Sequence, residues 1–124
     1  MPANNADFRG YVTAWRFSHR KHNHSIDSNG LKISPPGAHV FEEGDVPRGV
    51  YGYDNFDSVQ KHASGFGNCD LYEFKVHPSE VNQDPWLDDA IYSEKAIPKQ
   101  QVTRIGHVTA EGELHMHKVE HCND

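Results

Sequence analysis

From Leu71 to Val76 apolar and polar residues alternate, with Tyr72 blurring the polar side, and this two-residue period marks Cys69–Val76 as a β-strand. A strand cannot stand alone, so the rest of the chain has to supply partners for it. The other regular stretches are all short. Phe8–Phe17 is rich in aromatic and β-branched residues and reads as a first strand, and Val50–Tyr53 reads as another. Lys32-Ile33-Ser34 and Ala38–Phe41 are further strand candidates on either side of Pro35-Pro36-Gly37. Val102–Thr109 and Glu113–Val119 flank Glu111-Gly112 and read as a hairpin, with His107 opposite Met116.

Helical signals are few. His24–Leu31 forms a short helix that stops at Asn29-Gly30, with Ser25 as its expected N-cap. Asp54–Ala63 places Phe56, Val59 and Ala63 at helical spacing, capped by Asp54 or Asn55 and ended by Gly65 or Gly67. Pro78 and Pro85 make the following stretch irregular, with one weak helical turn over Trp86–Ile91. Many short strands with two or three short helices define an α+β class rather than alternating βαβ units. The expected form is two small, bent, mostly antiparallel sheets with helices outside and Leu71–Val76 central. Its core is Leu71, Tyr72, Phe74, Val76, Val50, Phe56, Val59, Ile26, Leu31, Ile97, Val102 and Ile105. The length, 124 residues, suits one domain, with 1–7 and 120–124 as loose ends.

Charge narrows the partners. The net charge of −6 disfavours nucleic acid or an anionic membrane as the main partner, and no apolar run approaches a membrane span. The start shows no secretory pattern, and two cysteines, Cys69 and Cys122, fit a reducing cytoplasmic setting. Residues 1–24 nevertheless carry +3, from Arg9, Arg16, Arg20 and Lys21 against Asp7, so the remaining hundred residues carry −9. Glu80–Glu94 contains five acids and no base. Such a pair of segments either attract each other in the fold or wall one cleft.

Standard motifs are missing. There is no P-loop and no third glycine to extend Gly65-Phe66-Gly67 into a dinucleotide fingerprint. Histidines cluster at His19, His22 and His24 and again at His115, His117 and His121 beside Cys122. In the expected hairpin register His107 points away from His115 and His117, so no tightly bound zinc, and no metal site, is expected.

A longer pattern runs in order along the chain. Trp15-Arg16-Phe17-Ser18-His19 closes a strand, and a helix ending in Gly30-Leu31 follows. Then come Val50-Tyr51-Gly52-Tyr53 before a helix, the strand Leu71–His77, and Tyr92-Ser93-Glu94-Lys95-Ala96-Ile97-Pro98 leading to Val102. This succession resembles the ADP-ribosyltransferase superfamily. The likeness is to its compact His–Tyr–Glu members, such as DarT-type enzymes, poly-ADP-ribose polymerase cores and RNA 2′-phosphotransferases. It covers roughly residues 8 to 108.

The resemblance implies an ADP-ribosyltransferase-like fold and NAD as substrate, with ADP-ribose passed to a macromolecular acceptor. Glu94 would be the catalytic carboxylate, since a fixed negative charge stabilises the cationic ribose carbon that develops as nicotinamide leaves. Tyr51 or Tyr53 would stack on the nicotinamide, and His19 would hold a ribose hydroxyl or the carboxamide. Arg16, Arg20 or Lys21 would face the pyrophosphate. Arg9-Gly10 resembles the first-strand arginine of the arginine-type branch, so Arg9 and His19 stand as alternatives for the first NAD contact. A different reading is a non-catalytic acidic protein, of phage or mobile-element type, that inhibits a partner by protein–protein contact.

Overall fold

A computed structural model describes residues 9–33, 49–85 and 87–117. Seven strands form one open antiparallel sheet: β1 (Val12–His19), β2 (Val50–Tyr53), β3 (Cys69–Val76), β4 (Val81–Gln83), β5 (Ala90–Ser93), β6 (Val102–Val108) and β7 (Leu114–Met116). Their order across the sheet is β4-β5-β2-β1-β3-β6-β7. Two short helices, α1 (Asn23–Asn29) and α2 (Phe56–His62), complete the α+β architecture.

The expected two sheets are therefore one, but with a seam. β1 pairs with β3 in continuous register from Val12↔Val76 to His19↔Cys69. Against β2 it registers only at Trp15↔Tyr53. The sheet thus has a β4-β5-β2 half and a β1-β3-β6-β7 half that share one registered backbone pair and pack together through side chains such as Phe17 and Tyr53.

Each face of the sheet carries its own core. Ala14, Val50, Tyr72, Phe74, Val76 and Ile91 meet Ile26 of α1, together with Leu31 and Ile97, on one face. Phe17, Leu71, Cys69 and Val108 meet Val59 of α2 and Ala63 on the other. Tyr72 belongs with Phe74 and Val76, and Leu71 faces the opposite way, so β3 is buried on both sides because a helix covers each face. Of the expected core, Phe56, Val102 and Ile105 are only partly buried. Ala14, Phe17, Ile91 and Val108 are buried in addition.

Local signals account for most boundaries. Asn55 accepts from the Ser58 N–H at 2.9 Å and starts α2. α1 begins after His22 without a side-chain cap, so Ser25 lies inside the helix rather than capping it. It ends at Gly30, whose φ of 82° and close approach to the Ile97 carbonyl leave no room for a side chain. Leu31 then exchanges backbone hydrogen bonds with Ile97 at 2.9 and 2.8 Å, an isolated bridge where a strand over 32–34 was expected. The candidate strand over 38–41 lies outside the described residues.

Register corrects two expectations. The stretch between the prolines is not irregular: Val81–Gln83 pairs with Ile91–Ser93, which in turn pairs with Val50–Gly52. Three residues suffice for a strand here because the partner, not the local pattern, supplies its hydrogen bonds. The terminal hairpin closes with a three-residue loop, Ala110-Glu111-Gly112, under the Thr109 N–H to Glu113 carbonyl bond, and Gly112 takes φ 92°. One more loop residue than a two-residue turn shifts the register by one, so His107 stands opposite His115 and Gly106 opposite Met116.

Candidate functional site

Strand register decides which of the expected site residues share a face. On β1, Trp15, Phe17 and His19 alternate to the α2 face, and Trp15 registers with Tyr53. Tyr51 lies on the same face as Tyr53 and registers with Tyr92. Glu94 follows two residues after Tyr92, one residue past the end of β5. Because neighbours are antiparallel, the C-terminal ends of β1 and β5 lie beside the N-terminal end of β2. His19 and Glu94 are therefore at one end of the sheet with β2 between them, at least about 10 Å apart from strand spacing alone.

Glu94 is exposed at the apex of a bend held by a buried serine. The Ser93 hydroxyl donates to the Lys95 carbonyl at 2.9 Å and accepts from the Lys95 N–H at 3.1 Å. Glu94 lines a pocket with Ser79, Glu80, Asn82 and Lys95, where Lys95 pairs with Glu80 at 3.3 Å. At about 260 Å³ this pocket accommodates one ring of a ligand rather than a dinucleotide.

The two tyrosines differ in surroundings. Tyr53 is sandwiched by the cover of its face, stacked on His62 of α2 at 5.4 Å and edge-on to Phe17. Burial, and secondarily Asp89, raises its pKa. Tyr51 stacks on Tyr92 at 4.8 Å, and burial, with Tyr92 and Asp84, pushes its phenol up to about 12. Of the two, Tyr51 is nearer Glu94: a diagonal cross-strand neighbour sits about 7–8 Å away.

His19 is exposed, and its Nδ1 accepts the Lys21 N–H at 3.1 Å. In the neutral ring that leaves Nε2–H as an outward donor. The cations divide. Arg16 turns to the opposite face by alternation, its Nε is buried without a hydrogen-bond partner, and burial lowers its pKa. Arg20 and Lys21 are exposed in the turn after β1. Arg9 lies in the turn three residues before β1, at the opposite end of that strand from His19.

The α1 face holds a polar network that no motif announces. Asp27 of α1 accepts from Arg104 Nη2 at 2.9 Å and from the Tyr72 hydroxyl at 3.5 Å. Arg104 Nη1 stands 3.8 Å from Asp70 Oδ2, beyond hydrogen-bond range, and that oxygen is buried with no hydrogen bond. Burial, reinforced by Asp27 and Asp70, raises the Tyr72 pKa. Beside it, His107 registers with Asp70, and its Nδ1 is 2.9 Å from His117 Nε2. The expected separation of these histidines is thus overturned by the loop length. Desolvation, then His117, His115 and Arg20, lower the His107 pKa against the opposing pull of Asp70. Among the described residues no group of three or more His, Cys, Asp or Glu is placed to hold a metal ion. Sequence spacing gives no hint of the 27–70–104 network, because its members come from three elements far apart in the chain.

No protein-family model, curated protein or solved structure matches this chain. What is established is the class: an α+β protein built on one open seven-stranded antiparallel sheet. No helix of the described residues is long and apolar enough to cross a membrane.

Proposed function

We propose that this chain binds NAD⁺ and transfers its ADP-ribose to a macromolecular acceptor, with Glu94 as the catalytic carboxylate. The supporting observation is that His19, Tyr51 and the Tyr92–Glu94 line share one sheet face, with His19 and Glu94 at one end of it. The order of elements adds support: a strand ending in Ser18-His19, a helix ending in Gly30-Leu31, a tyrosine strand before α2, and Glu94 before Ile97-Pro98.

In this reading the pocket beside Glu94 takes the ribose, and the nicotinamide extends beyond the pocket lining toward Tyr51, whose ring stacks on Tyr92. The ribose C1–nitrogen bond breaks with its electron pair leaving on nicotinamide. The Glu94 carboxylate stabilises the positive charge left on the ribose carbon. An acceptor oxygen or nitrogen then bonds to that carbon and releases its proton to solvent. The Nε2–H of His19 donates to a hydroxyl of the dinucleotide, and Arg20 and Lys21 lie beside it for the pyrophosphate. The face assignment leaves Arg16 out of that set.

Glu94→Gln keeps size and hydrogen bonding but removes the charge. Calorimetric titration with NAD⁺ is expected to show unchanged affinity, while nicotinamide release falls by at least about two orders of magnitude. Equal release rates from both proteins would refute the role of Glu94. Absence of any NAD⁺ binding to the native chain would refute the whole reading and leave partner inhibition by protein–protein contact.

A further inference from the structure

The three-residue loop that closes the β6–β7 hairpin brings His107, His115 and His117 together on the α1 face, away from Glu94. His115 is the direct cross-strand partner of His107, and their rings stack at 5.4 Å. His117, two residues on, faces the same way, its ring 5.1 Å from that of His107. The His107 Nδ1 and His117 Nε2 atoms converge to 2.9 Å, so one of these two nitrogens must present a lone pair to the other's proton.

Two imidazole nitrogens at this distance are close to the spacing of a chelating pair, though they now point at each other. Zinc–nitrogen bonds of about 2.0–2.1 Å at a tetrahedral angle set the nitrogens about 3.3 Å apart. A few tenths of an ångström separate the observed pair from that spacing, and both rings must also turn so that their lone pairs meet at the cation. Both His115 and His117 are exposed, so a hydrated cation has access and water can fill the remaining positions. His115 Nε2 stands 3.4 Å from the exposed Glu113 carboxylate, a contact that holds little energy against a ligand bond. Imidazole donors without carboxylate in the set select zinc or copper over magnesium or calcium.

We propose that the β6–β7 hairpin is a binding site for a divalent transition-metal cation, zinc or copper, chelated by His107 and His117 with His115 rotating in as a third ligand. The site uses no residue of the NAD⁺ reading and lies at the opposite edge of the sheet from Glu94, with Arg20 the one group of that reading whose charge reaches His107.

Untagged full-length protein titrated with Zn²⁺ by calorimetry is expected to bind one equivalent. His107→Ala and His117→Ala should each weaken that binding at least about tenfold, while His24→Ala, on α1, should leave it unchanged. His115 and His117 are exposed and His107 is half-buried on an edge hairpin, and circular dichroism verifies that each variant folds. A second readout needs no variant. With one equivalent of Cu²⁺, electron paramagnetic resonance should resolve coupling to two or three imidazole nitrogens. The proposal is overturned by no binding at Zn²⁺ on the order of 100 micromolar, by loss of less than tenfold in both variants, or by copper coupled to fewer than two nitrogens.

Discussion

The two halves of the sheet are built to different standards. In the β1-β3-β6-β7 half, β1 and β3 pair over eight residues, and Asp27 of α1, Tyr72, Arg104 and the buried Asp70 form a polar network across the face. The β4-β5-β2 half consists of strands of three and four residues and meets its neighbour at a single registered pair. Glu94 and its pocket sit on this lighter half, at the edge. The difference lies in strand length and pairing rather than in burial: β5 is buried at all four positions, β6 and β7 are partly exposed, and the exposed Glu94 stands one residue past the end of β5.

The contrast breaks most plainly in the core of the heavier half. Phe74 is 1 % exposed and central, and Phe74→Ala is expected to cost about 3–5 kcal/mol in urea denaturation. Leu87, 42 % exposed beside the lighter half, should change by less than about 0.5 kcal/mol when replaced by alanine. Comparable losses at both positions would show that burial does not set the cost of truncation here.

A smaller effect sharpens the role of the polar network. Arg104→Ala leaves Asp70 buried without its cation and should destabilise by about 1–3 kcal/mol. Adding Asp70→Asn should recover part of that loss, because the uncompensated charge is gone. A strictly additive double-mutant cycle would mean that the 3.8 Å pair carries no energy.

The smallest expected effect belongs to the lighter half and is a pH dependence. Burial holds the Tyr51 proton to about 12, whereas the unfolded chain releases it near the ordinary value of 10.0. The folded state then binds more protons than the unfolded one in that interval. Stability from this group is complete below about pH 10 and is lost as pH rises toward 12. Ultraviolet titration should find a late-ionising tyrosine that Tyr51→Phe removes, and the variant should show a shallower alkaline decline in melting temperature. Tyr72, raised for the same reason on the heavier half, continues to titrate late in that variant.

Much of the fold is legible in the order of the residues. β3 and β2 match their expected limits, α2 starts at Asn55 as its side chain predicts, and α1 stops at Gly30. These features are local: alternation, a capping oxygen and a positive φ are properties of a few consecutive residues. β4 and β5 escape such a reading because strands of three and four residues carry too little pattern to outweigh the neighbouring Pro78 and Pro85. The shared face of His19, Tyr51 and Tyr53 follows from strand registers that no residue spacing encodes.

By itself, then, the amino-acid order determined the α+β class, the central strand, both helices and most of the core, since short-range periodicity and caps act within a few residues. Tertiary structure alone decided that two expected sheets are one sheet with a seam, that His19 shares a face with Tyr51 and Tyr53, and that His107 joins His115 and His117. Each of those outcomes depends on register. Register changes face with a single residue of loop or bulge, and its energy comes from pairing across the sheet rather than from the residues in line.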